Sequence, residues 1–100
     1  MKERLILHLR VTREYWEQMR DGVKLWEYRL AEKWEKRLAG REYTEIWIWP
    51  GYPKSSRADL LLRFKWRGCK RETITHPHFG AGPVEVISID VSERMEGDRK

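Results

Sequence analysis

Apolar residues in this chain come in short bursts at period two, several closed by glycine or proline, and that pattern more than any other limits what it can fold into. From Ala58 to Trp66 the residues Leu60, Leu62, Phe64 and Trp66 alternate with Asp59, Leu61, Arg63 and Lys65, the clearest strand signal in the sequence. Similar bursts run from Arg4 to Arg10, Leu25 to Leu30, Tyr43 to Trp49, Arg71 to Thr75 and Val84 to Val91. None approaches the ~20 apolar residues of a membrane span.

Two stretches switch to helical spacing. Thr12 offers an N-cap, Glu14 suits the first turn, and Val11, Tyr15 and Met19 recur along one stripe before Asp21-Gly22 ends the segment. Leu30, Trp34 and Leu38 repeat the spacing, with a Glu32–Lys36 pair, Gly40 as the stop, and Lys33, Glu35, Lys36 and Arg37 as a solvated face. Five to six short strands with two short helices predict an α+β chain built as a mixed barrel or strongly curved sheet.

With 100 residues there is room for one domain, expected over residues 1–92, with a frayed polar tail over 93–100. Cys69 is the only cysteine, so no intrachain disulfide framework is available. The first residues do not read as a signal peptide, and a cytoplasmic protein without membrane association is expected. The formal charge of +5 favours acidic partners such as RNA, DNA or nucleotides.

The chemistry concentrates in Gly22-Val23-Lys24-Leu25-Trp26-Glu27-Tyr28-Arg29. Strand alternation places Leu25, Glu27 and Arg29 on one face and Trp26, Tyr28 and Leu30 on the other, with Lys24 at the entrance able to fold toward Glu27. A lysine, a carboxylate and a guanidinium together can hold a phosphate, activate a water or hydroxyl, or brace the fold as an ion pair. In a desolvated cleft Lys24 or Glu27 is the candidate base and Arg29 the candidate stabiliser of developing negative charge.

Gly22, Lys24, Glu27 and Arg29 fit G-x-K-x-x-E-x-R, and the chain resembles the ASCH domain, a branch of the PUA-like superfamily, in its small bacterial and phage members. The segments Trp34 to Arg41, Gly51-Tyr52-Pro53-Lys54 and Thr75 to Gly80 extend the resemblance over nearly the whole chain. It implies a PUA-like mixed β-barrel with flanking helices, a cleft lined by the motif, and RNA-related work. Some members are ribonucleases and others remove the acetyl group from N4-acetylcytidine. The deacetylating members carry threonine where this chain has Glu27, which shifts the expectation toward binding of single-stranded RNA or a nucleotide-like ligand, with ribonuclease activity. An amidohydrolase acting on a modified nucleoside and a non-catalytic interaction domain are the alternatives.

Secondary candidates surround this core. Tyr52, Lys54, Ser55 and Arg57 form a basic loop with one aromatic ring suited to base stacking and phosphate contact. His76 and His78 flank a proline without a third ligand at metal spacing, so they read as packing or capping groups beside Phe79, with ligand contact at a cleft rim as the alternative. Trp26 is a candidate ligand contact, harder to place than Trp16, Trp34 and Trp66, which belong to core stripes; Trp47 and Trp49 share that ambiguity. Ser88 is a candidate cleft hydroxyl, and Cys69, between Arg67 and Lys70, is a candidate for a lowered thiol pKa. No metal site and no cofactor are expected, and the residues leave a divalent-metal requirement open.

Overall fold

Where the alternation is strongest, one face is buried. In the computed structural model, which describes residues 5–95, β1 (Ile6–Val11) sends Leu7, Leu9 and Val11 inward, and β3 (Glu45–Pro50) does the same with Ile46 and Ile48. Between them lie α1 (Arg13–Arg20), β2 (Trp26–Leu30) and α2 (Ala31–Leu38); after them come β4 (Leu62–Lys65), β5 (Cys69–Ile74) and β6 (Val84–Asp90). A parallel β1–β3 pair needs such a long crossover, because no tight turn can return a chain to a parallel neighbour.

The strands make two three-stranded sheets, β1-β3-β4 and β2-β6-β5, and both feed one core containing Leu9, Ile46, Phe64, Ile87 and Ile89. The α+β class and the strand count are as expected. The expected barrel is not: among the described residues no ladder closes the two sheets into one. At one seam a side chain crosses, Arg29 donating to the Arg10 carbonyl at 2.8 Å. At the other the chain itself crosses. Val91 N–H donates to Leu25, and Glu93 to Met95 then lie along β4 through Lys65 N–H to Glu93 C=O at 3.0 Å and Met95 N–H to Arg63 C=O at 3.0 Å. Residues 96–100 lie outside the described residues, as does the Arg4 start of the first strand.

The Ala58-to-Trp66 alternation is only partly a strand. Ala58–Leu60 is a 3-10 turn, since β4 has a pairing partner in β3 only from Leu62, opposite Ile48. Without a neighbour the backbone of Leu60 and Leu61 bonds locally, to Arg57 and Ala58. Leu60, Leu62 and Phe64 are nonetheless buried, and the Leu60 carbonyl accepts from the Trp16 indole at 2.9 Å, tying α1 to this turn.

Both helices end as their sequences predict. Thr12 Oγ1 accepts from Tyr15 N–H at 3.3 Å. At the other end Gly22, at φ +76°, lets Gly22 N–H reach Met19 C=O and Val23 N–H reach Gln18 C=O, the paired bonds of a Schellman turn. Helix α2 stops before Gly40, φ +71°, with Ala31 and Leu38 buried and Trp34 packed partly against the core. No helix among the described residues is long and apolar enough to cross a membrane.

Candidate functional site

Strand β2 is an edge strand, bonded to β6 on one side only. Its free edge opens into a cleft of about 530 Å³, walled by the end of β1, the start of α1, the start of α2, the loop after β3 and the 3-10 turn Pro77–Phe79. Cations outnumber carboxylates around it: Arg10, Lys24, Arg29 and Lys33 line the cleft with Glu27.

Lys24, Glu27 and Arg29 meet here. Arg29 Nε donates to Glu27 Oε2 at 2.8 Å, and Lys24 Nζ stands 3.7 Å from the other carboxylate oxygen. The side chains are 10% (Lys24), 7% (Glu27) and 18% (Arg29) exposed, so the cluster is largely desolvated. The Schellman turn places Lys24: its own N–H donates to Gln18 C=O at 3.1 Å, which directs the side chain back over the strand rather than into solvent. There the ammonium lies 4.7 Å from the centre of the Tyr15 ring and 5.0 Å from that of Tyr28. Burial lowers the Lys24 pKa below the ordinary lysine value; Glu27 opposes this, and the nearby Arg29 charge adds to it. The Tyr15 hydroxyl is raised, chiefly by burial and then by Glu14 and Glu27, and stays a neutral phenol.

No protein-family model, curated protein or solved structure matches this chain.

The cleft walls are aromatic. Arg29 lies over the Trp34 ring at 4.8 Å and Arg37 over the same ring at 4.1 Å. Tyr52, 86% exposed, is held by the Arg10 guanidinium at 4.5 Å, and that guanidinium also donates to the Gly51 carbonyl at 3.2 Å. His76 and His78 face the cleft from the turn opposite. His78 N–H donates to His76 Nδ1 at 3.1 Å, capping the turn, and the rings pack on Phe79, Tyr28 and Tyr15. The capping and packing are as read from the sequence, and both rings line the cleft.

Other expected residues stand elsewhere. Lys54, Ser55 and Arg57 are exposed on the loop beyond Tyr52 and outside the cleft lining, with Arg57 engaged twice by Asp59 at 2.9 Å. Trp26 is half-buried under Lys70 Nζ at 4.8 Å, away from the cleft. Ser88 does not point into the cleft either; it is fully buried on the opposite face of β6 from the core residues Ile87 and Ile89, donating to Glu72. Cys69 lies on exposed β5, and burial raises its thiol pKa, the reverse of what its basic neighbours suggest.

Arg10, Tyr15, Tyr28, Lys33 and Trp34 join the site without having been singled out for it. Tyr15 and Trp34 sit on helical stripes that read as core, and periodicity alone does not distinguish a core from a cleft wall. Tyr28 falls on the β2 face opposite Glu27, yet lines the cleft because the opening wraps around a free edge.

Proposed function

We propose that this chain is an ASCH-type domain of the PUA-like superfamily whose cleft binds single-stranded RNA or a nucleotide-like ligand and cleaves RNA. In this reading the two open sheets, joined by the 91–95 crossing, are an incompletely closed PUA-like barrel. One observation carries the functional part: a desolvated Lys24–Glu27–Arg29 cluster stands in a cationic cleft walled by aromatic rings. Cations recognise phosphate, rings stack on bases, and the cluster supplies acid–base chemistry.

The proposed cleavage begins with Lys24 in its amine form, favoured by burial, taking the proton of a ribose 2′-hydroxyl. The 2′-oxygen attacks the adjacent phosphorus, the bond to the 5′-oxygen breaks, and that oxygen takes a proton from water, leaving a 2′,3′-cyclic phosphate. Arg29, fixed by Glu27 and the Arg10 carbonyl, presents its remaining donors to the charge building on phosphate. Glu27 holds Lys24 and Arg29 in register.

Fluorescence anisotropy with a short single-stranded RNA at low salt tests this. Wild type is expected to bind and to release a cyclic-phosphate product, and Lys24→Ala to lose cleavage at least 100-fold. Absence of both binding and cleavage in the wild type would sink the reading.

Hydrolysis of an amide on a modified nucleoside is the second reading, favoured by a cleft whose volume suits one small ligand. Glu27 in the place of threonine weighs against it. Turnover of N4-acetylcytidine would be nearly indifferent to salt, whereas RNA binding weakens steeply as salt rises.

A further inference from the structure

Outside the cleft, the outer face of the β1-β3-β4 sheet also combines aromatic rings with cations. Strand β3 is the centre of its sheet, and its core face is Ile46 and Ile48, so Trp47 and Trp49 share the opposite face. Both are half-buried and neither belongs to the core. Register sets their neighbours. Trp47 lies between His8 and Arg63, while Trp49 pairs with Arg10; Lys65 is one step along on the β4 side. His8, Arg10 and Lys65 are exposed. The Glu45 carboxylate on this face is occupied, accepting from the Trp47 indole at 2.7 Å and standing 3.6 Å from Arg63.

This face is continuous with the cleft. Arg10 occupies a position on it beside Trp49, yet its guanidinium lies on Tyr52 at the cleft mouth. Trp47, Trp49 and Tyr52 therefore form a row along β3 and out through the Pro50-Gly51 turn. Rings at i and i+2 of a strand are about 6.7 Å apart, far enough for each to take its own base. Arg10, Arg63 and Lys65 flank the row, against one carboxylate on the face and Glu93 3.3 Å from Lys65.

We propose that the β1-β3-β4 outer face is a second binding surface for single-stranded RNA, stacking bases on Trp49 and Trp47 as the strand leaves the cleft past Tyr52. This rests on the cleft reading for its ligand and extends it: the substrate is a polymer several nucleotides long, gripped beyond the nucleotide in the cleft. Stacking on aromatic side chains tolerates any base, so the surface selects for unpaired strands and not for sequence.

The test compares uridine monophosphate with a ten-nucleotide oligouridylate at low salt. Wild type is expected to bind the oligomer at least tenfold more tightly. Trp47→Leu and Trp49→Leu, which keep apolar bulk without a flat indole, are each expected to weaken the oligomer about tenfold or more while leaving the monophosphate unchanged. Lys24→Ala is expected to weaken both. Should the leucine variants fail to fold by circular dichroism, the wild-type protein decides the matter: indole N–H resonances of Trp47 and Trp49 should shift with oligomer and not with monophosphate. Oligomer binding insensitive to both tryptophans, or unshifted indoles, overturns the second surface. Tryptophan-dependent oligomer binding that ignores Lys24→Ala upholds it and overturns the cleft reading instead.

Discussion

At the scale of single residues, Lys24 carries an energetic cost along with its proposed role. Because burial lowers its pKa, the unfolded chain holds a proton there that the folded chain releases more readily. Stability therefore rises with pH across the window from the lowered folded value up to the ordinary 10.5, and the charged amine is a penalty below that window. Lys24→Met keeps the stem and removes the charge. It is expected to raise the urea midpoint at pH 7, by a margin that shrinks as the pH approaches 10.5, while abolishing RNA cleavage; a lower midpoint at pH 7 would mean that the contacts of the ammonium with Glu27, Tyr15 and Tyr28 outweigh its desolvation. The meeting of Lys24, Glu27 and Arg29 was legible in the sequence, because strand alternation and one glycine turn are local rules. Arg10 was not. Its place at the cleft depends on β1 lying parallel to β3, so that Gly51 and Tyr52 arrive beside it, and no local pattern announces a pairing across that distance.

At the scale of elements, the turn closing α1 sets where the site begins. Gly22 has open space around a would-be Cβ, so Gly22→Ala meets no clash and its cost is the left-handed backbone alone, about 1–2 kcal/mol in urea denaturation. A shift of the Schellman bonds also moves the Lys24 N–H from Gln18, so RNA cleavage is expected to fall more than this small stability loss would suggest; unaltered cleavage would show that Lys24 is positioned by its ring contacts and not by the turn. Helix caps and glycine stops were readable because each is a few residues long. The Ala58-to-Trp66 stretch shows the opposite case. Its alternation is real, and Leu60, Leu62 and Phe64 are all inside, but whether such a run is a strand depends on a neighbour, and β3 provides one only from Ile48 onward.

At the scale of the whole molecule, the net charge of +5 and the four cations of the cleft predict how binding responds to salt. With Arg29 tied to Glu27 and Lys24 in its amine form, Arg10 and Lys33 leave roughly two phosphates to be neutralised, which gives a slope of about −1.4 in a plot of log affinity against log salt for a short single strand. A flat plot would exclude the polymer as the ligand. The strand order carries a separate consequence. β1, β3 and β4 make one sheet and β2, β5 and β6 the other, so a cut anywhere between β2 and β4 leaves both sheets incomplete. A chain cleaved in the exposed loop at residues 53–57 should yield two pieces that are each unfolded alone and that recover sheet and cleft only when mixed. The cleft draws Lys24 and Arg29 from one piece and His76 and His78 from the other, so in such a mixture the recovery of RNA binding would itself report reassembly.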